Sequence, residues 1–156
     1  MRGGSQTVRG DAKYAAEEGS MADSGDKARR YDLEERLVAF ACRIIDVVEA
    51  LPNARAGNHI GGQLIRCGTS PAPNYAEALG AESRRDFVHK LKVCLKELRE
   101  TRVWLLMIQR KALIRPEDRL APVISEADEL ISIFVTSIGT AQKKQRRSSP
   151  ISKEQD

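Results

Sequence analysis

The run from Ser83 to Lys111 constrains the fold more than any other. Ser83-Arg84-Arg85-Asp86 has the form of a helix-opening capping box, with Asp in place of the usual Glu or Gln. Behind it Phe87, Leu91, Cys94, Leu98 and Leu105 recur at the three-and-four spacing of one helix face, with Thr101 as the polar interruption. At 1.5 Å per residue such a helix is about 40 Å long. Its single apolar seam has to be covered by other elements.

Three further segments carry the same period. The spacing predicts a first helix over 32–51, capped by Asp32, with Leu33, Leu37, Phe40, Ala41, Ile44, Val47, Val48 and Leu51 on its buried face. Pro52-Asn53 ends it, and PNARAGN makes a turn. A second segment carries Ile60, Leu64 and Cys67, meets Pro71 and Pro73, and resumes as NYAEAL up to Gly80. Each proline lacks an amide donor and costs about 3 kcal/mol in a helix interior, so this helix has to bend. Ser70 and Asn74 are the residues able to cap the freed groups at the bend. After Arg115-Pro116 a last helix carries Ile124, Ala127, Leu130, Ile131, Phe134, Val135 and Ile138, with Pro122 in or near its first turn. Short connections make consecutive helices antiparallel neighbours. The expected fold is therefore all-α, an up-down antiparallel four-helix bundle with a Pro-kinked second helix, spanning 31–142.

Composition agrees with one helical core: hydrophobic content is 41% and aromatics only 4% of 156 residues. Residues 1–30 are Gly-, Ser- and charge-rich and read as a disordered extension, with Met21 an alternative start to Met1. Residues 143–156 read as a flexible basic tail. No run of eighteen apolar residues crosses a membrane, and the N-terminus lacks the apolar stretch of a secretory signal. Cys42, Cys67 and Cys94 suit reduced positions in a cytosolic protein. The formal charge of +4 sits in the tails: six Lys/Arg stand against five Asp/Glu in 1–30 and five against two in 143–156, leaving 15 of each between them. The pI of about 9.1 alone therefore does not point to nucleic acid.

The stretch QLIRCGTSPAPNYAEA, followed by SRRDFVHKLKVCLKELRETRVWLLMI, resembles a bacterial four-helix-bundle family related to proteins encoded in intervening sequences of large-subunit ribosomal RNA genes. The matching positions are Gln63, Leu64, Arg66, Ser70, Asn74, Ala76, Glu77, Ser83, Asp86 and Phe87; Glu100, Thr101, Trp104 and Leu105 match one branch of the family. The likeness covers residues 33–140. The family's usual Ser-Ile-Pro-Ala-Asn or Ser-Val-Gly-Ala-Asn is here Ser70-Pro71-Ala72-Pro73-Asn74, with prolines flanking the usual position. The resemblance implies a small cytosolic bundle that forms rings, often pentamers. It also brings in accessory proteins of diversity-generating retroelements, one of which accompanies a reverse transcriptase and binds nucleic acid. Most members have no demonstrated activity.

Two surface features bear on function. Arg85, His89, Lys92, Lys96 and Arg99, spaced four, three, four and three, form a cationic stripe opposite the apolar seam. Lys143, Lys144, Arg146 and Arg147 form a second basic cluster in the tail. Such rows suit phosphates, but a solvated face partly paired with Glu97, Glu100 or another subunit's acids is the bland alternative. No aromatics interleave, so contacts would follow the backbone and carry little sequence preference. Val103, Trp104, Leu105, Leu106, Met107 and Ile108 are consecutive and apolar on every side, which favours a subunit interface through Val103, Trp104, Leu106, Met107 and Ile108 over an unusually enclosed helix end.

Enzyme chemistry finds little support. Asp86 and His89 form a single D-x-x-H, whereas di-iron bundles use two Glu-x-x-His motifs. His59 stands in a Gly-rich turn without a second ligand nearby, no C-x-x-C supports zinc, and GNHIGGQL lacks the G-K-[ST] of a phosphate loop. The expectation is a protein without catalytic residues, metal, cofactor or small-molecule substrate. It is a homo-oligomeric, ring-like, cytosolic accessory protein that binds RNA or DNA, within a reverse-transcriptase complex if the resemblance extends that far. The alternative is a protein-interaction scaffold with no nucleic-acid role, and a metal-binding bundle is weaker still.

Overall fold

The structure, a computed structural model, describes residues 23–148. The expected disorder of residues 1–22 and the end of the tail, 149–156, lie outside the described residues. The elements are α1 (Asp23–Glu49), α2 (Arg55–Thr69), α3 (Pro71–Leu79), α4 (Arg84–Arg110), one 3-10 turn (Glu117–Leu120) and α5 (Ala121–Ser148). α2 and α3 are two halves of one bent helix, so the architecture is the antiparallel four-helix bundle that the periodicity predicts. α4 packs against α2, α3 and α5, and α1 packs against the same three from the opposite corner. α1 and α4 therefore stand diagonally across the bundle.

The bend is cheap because of where its prolines fall. Pro71 is the first and Pro73 the third residue of α3, inside the first turn, where amides have no partner within the helix anyway. Ser70 keeps helical angles, φ −61° and ψ −35°, so the two halves join without a loop. Ser70 caps no backbone amide, because proline has removed one candidate donor. Its Oγ and its carbonyl instead each accept from Asn74 Nδ2 at 2.9 Å.

The core forms where the seams meet. Leu37, Phe40 and Ile44 of α1 and Leu64 of α2 are sealed with Leu91, Leu98, Leu105 and Ile108 of α4 and Leu130 and Phe134 of α5. Tyr75 of α3 meets Phe134 edge-on at 5.9 Å between centroids. Thr101 is fully buried and donates its hydroxyl to the Glu97 carbonyl at 2.7 Å, which satisfies it inside its own helix. Arg36 closes the α1–α5 edge, bonding Glu126 through both Nε and an Nη at 3.2 and 3.1 Å and Glu129 at 2.9 Å.

Some sequence expectations move. α1 begins at Asp23, so Asp32 is an exposed residue inside the helix and not its cap. α5 runs on through Ser148, six residues beyond the expected boundary, since cations suit a helix C-terminus and no breaker stands before Pro150. Val88 is buried on α4 while Phe87 is half-buried at the core margin, and Val135 is exposed because its angle takes it off the Ala127–Leu130–Phe134–Ile138 seam. Ser83 does cap α4, accepting from the Asp86 amide at 3.1 Å, and Pro122 does lie in the first turn of α5.

Two backbone positions give measurable consequences. A Cβ on Gly68 would lie 2.6 Å from Ile44 Cγ2, whereas one on Gly61 would meet Val48 at an ordinary 3.4 Å. Gly68→Ala is expected to cost about 1–3 kcal/mol by overpacking the α1–α2 contact, and Gly61→Ala to be neutral or stabilising by up to about 1 kcal/mol. α4 ends in a Schellman-type turn, with the Leu113 amide on the Ile108 carbonyl, the Ala112 amide on the Gln109 carbonyl, and Ala112 at φ 48°. Ala112→Gly is expected to stabilise by about 0.5–1 kcal/mol, the relief of the left-handed penalty outweighing the added freedom of the unfolded chain. Urea denaturation of the three variants checks all these signs.

Candidate nucleic-acid interface

The outer side of α4 is the candidate site. Arg85, His89, Lys92, Lys96 and Arg99 are all exposed, along about 21 Å of helix at 1.5 Å per residue. Arg84 and Arg110 are exposed on the same helix, and no acid of α4 is: Asp86, Glu97 and Glu100 are half-buried. Arg66 of α2 accounts for two of these acids, at 2.5 Å from Glu100 and 3.5 Å from Glu97. Glu97 and Glu100, the acids nearest Lys96 and Arg99 in sequence, are turned to the α2 flank and held there. Among the described residues no carboxylate forms an ion pair with any of the five stripe side chains. The neighbouring cations off the stripe behave differently: Lys90 pairs with Glu77 and Arg102 with Asp128. The hydrogen bond that Lys90 donates to Glu77 holds its ammonium above the ordinary pKa.

Lys143, Lys144, Arg146 and Arg147 are exposed in the last turns of α5. Because α5 runs antiparallel to α4, they stand at the end of the bundle where Arg84 and Arg85 begin α4. The two basic features, far apart in sequence, are at one end of the fold.

The apolar segment of α4 divides by angle. Val103 and Met107 are exposed, at 48% and 42%, and they continue the geometric line of the stripe. Ile108 points into the core and is fully buried, so the monomer's own packing uses it and it offers nothing to a second chain. Trp104 and Leu106 are half-buried. Trp104 lies edge-on to His59 of α2 at 6.0 Å and its Nε1 donates to Glu100 at 3.4 Å, so it fastens α2 to α4. The roles of Arg66 and His59 were not readable from local spacing, since their partners are more than thirty residues away.

Cysteine chemistry is confined by burial. Burial pushes the Cys94 thiol up to about 12, and its Sγ donates to the Pro71 carbonyl at 3.5 Å. Burial raises Cys67 as well, and its Sγ donates to the Leu64 carbonyl at 3.6 Å. Cys42 is exposed. Among the described residues no group of three His, Cys, Asp or Glu side chains is placed to hold a metal ion, and no helix is long and apolar enough to cross a membrane.

The fold and surface define a small helical bundle whose chemistry-bearing side chains lie on the outside of one long helix. The comparisons place it more closely. The family model for 23S rRNA-intervening sequence proteins matches residues 29–136, and the chain belongs to that family. The crystal structure of a protein of unknown function from the S23 ribosomal protein family of Bacteroides thetaiotaomicron is similar, with 31% identity and a TM-score of 0.63 over 68% of this chain and 97% of that one. No curated protein matches the chain.

The thiols give a pH prediction. Below the ordinary thiol pKa both folded and unfolded chains keep their protons; above it the unfolded chain loses protons that the folded chain retains. Stability should therefore fall from about pH 9 towards 12, by up to about 1.4 kcal/mol per pH unit for each buried thiol. Denaturation at pH 8 and pH 10 checks this, with Cys94→Ala expected to flatten the difference. In the native protein one thiol should react quickly with a disulfide reagent, and three in denaturant.

Proposed function

We propose that this protein is a non-enzymatic, cytosolic, homo-oligomeric accessory protein that holds nucleic acid through its phosphates. The observation that carries the reading is the exposed line Arg85, His89, Lys92, Lys96, Arg99, free of carboxylate partners among the described residues. Lys143, Lys144, Arg146 and Arg147 extend the footprint at its α5 end. The stripe is an exposed row of Arg and Lys side chains around His89, without a Phe, Tyr or Trp platform, so it follows a backbone and does not read bases. The family name, with its ribosomal RNA intervening sequences, favours RNA as the first ligand to test; the resemblance to retroelement accessory proteins adds a reverse-transcriptase complex. Self-association into a ring, pentameric by that resemblance, would present the footprint once per subunit and add avidity. The second reading, a protein scaffold without nucleic acid, is favoured by Val103 and Met107, two exposed apolar side chains on the same helix.

Binding of labelled single- and double-stranded RNA and DNA at 50 mM salt tests the first reading. The triple variant Arg85→Glu, Lys92→Glu, Lys96→Glu is expected to weaken binding on the order of 100-fold. The slope of log K against log salt should shrink by about 2–3, close to one unit per lost phosphate contact. Absence of binding at low salt, or a triple variant that binds like the parent, rejects it in favour of the scaffold.

A further inference from the structure

The two corners of the bundle that do not touch are opposite in charge and alike in apolar content. Between residues 32 and 49 the exposed side chains of α1 include four acids, Asp32, Glu35, Asp46 and Glu49, against the single base Arg43. The exposed side chains of α4 include six bases and no acid. Each face also holds two aliphatic side chains left in water: Val38 at 44% and Ile45 at 40% on α1, Val103 at 48% and Met107 at 42% on α4. Ile65, 37% exposed, lies one turn from both Gly61 and Gly68, at the edge of the α1–α2 contact, and widens the α1 patch. Among the described residues nothing covers either patch, and the diagonal arrangement prevents one molecule from bringing them together.

We infer that the α1 face of one copy docks on the Arg99–Arg110 half of α4 of the next copy, with the two helices antiparallel. This rests on the self-association in the reading above and assigns its surfaces. The register follows from the spacing. With Ile45 seated on Val103, Glu49 lies four residues from Ile45 and meets Arg99, four residues from Val103 on the other side. Met107 then falls between Val38 and Ile45, over the small side chains of Ala41 and Cys42, as a knob enters a hole. The remaining stripe, from Arg85 to Lys96, lies beyond the end of α1 and stays open to phosphates. The contact joins two different surfaces, so it cannot close as a two-fold dimer and runs head to tail until it meets itself as a ring or continues as a filament.

Mixing distinguishes this contact from any symmetric one. In sedimentation velocity at 100 µM the wild-type chain should exceed a monomer, while Ile45→Asp and Met107→Asp should each be monomeric. An equimolar mixture of the two should form a dimer and stop there, because each variant keeps the face that the other has lost. Glu49→Arg should weaken assembly about tenfold, and adding Arg99→Glu should restore it. Circular dichroism confirms folding; Val38→Glu stands in for Ile45→Asp, and Val103→Glu for Met107→Asp, where either loses helix. A monomeric wild type overturns self-association altogether. A wild type that assembles while either variant still assembles, or while the mixture stays monomeric, keeps self-association and overturns these faces. Nucleic-acid binding by the monomeric variants is read separately, so neither result hides the other.

Discussion

The inward seam of α4 is the constraint from which the rest of the bundle follows. Val88, Leu91, Cys94, Leu98, Thr101, Leu105 and Ile108 are buried in succession along one helix. Full burial of each large aliphatic among them contributes about 1.5–3 kcal/mol. A straight seam of that length cannot be covered by α2 alone, which is 15 residues long. The chain continues the cover with α3, re-aimed at Ser70, so that Tyr75 reaches Phe134 and the Pro71 carbonyl reaches Cys94. The bend is thus a consequence of α4's length. Its two prolines are tolerated because α3 starts at the first of them.

Close approach on the other side of the bundle depends on absent side chains. Ile44 occupies the space that a Cβ on Gly68 would need, which draws α1 onto α2 and brings Phe40 and Leu37 to the centre. At the α1–α5 edge the closure is ionic: Arg36 forks onto Glu126 and Glu129, with Arg43 3.8 Å from Glu126. That arrangement uses two cations of α1 against acids of α5, and leaves the outer side of α1 acidic.

How much of this was legible depends on whether a residue's environment is set within its own helix. The seam of α4, the Ser83 cap, the bend and the outward direction of the stripe follow from a 3.6-residue period and were readable. The segment from Val103 to Ile108 was not, since a stretch that is apolar all round does not reveal which side faces in. The stripe itself held the missing signal: two further steps of four carry its line from Arg99 to Val103 and Met107, which are exposed, and skip Ile108, which is buried. The contacts of Trp104 and Glu100 were hidden for a different reason. Their partners, His59 and Arg66, belong to another helix, and no local pattern links residues more than thirty positions apart. The early start of α1 has a third cause, since a charged, Gly-containing stretch has weak helix propensity and is carried into helix by the segment it precedes.

The electrostatics show why net charge was a poor guide. Residues 31–142 contain 15 bases and 15 acids, a balance that reads as neutral in sequence. Folding sorts them. Arg66 withdraws Glu97 and Glu100 to the α2 flank, Asp128 takes Arg102 and Glu77 takes Lys90, so the acids that reach α4 are spent on cations that are not in the stripe, while Glu126 and Glu129 take Arg36 at the α1–α5 edge. What remains outside is a basic corner and an acidic corner, diagonally opposed. A neutral bundle with this polarity presents a concentrated field on one helix without the self-repulsion of a highly charged chain. The buried thiols are held protonated, and every buried side-chain polar atom among the described residues has a hydrogen-bond partner. The interior is therefore chemically settled, and the groups left with unspent binding energy are on the outer faces of α1 and α4.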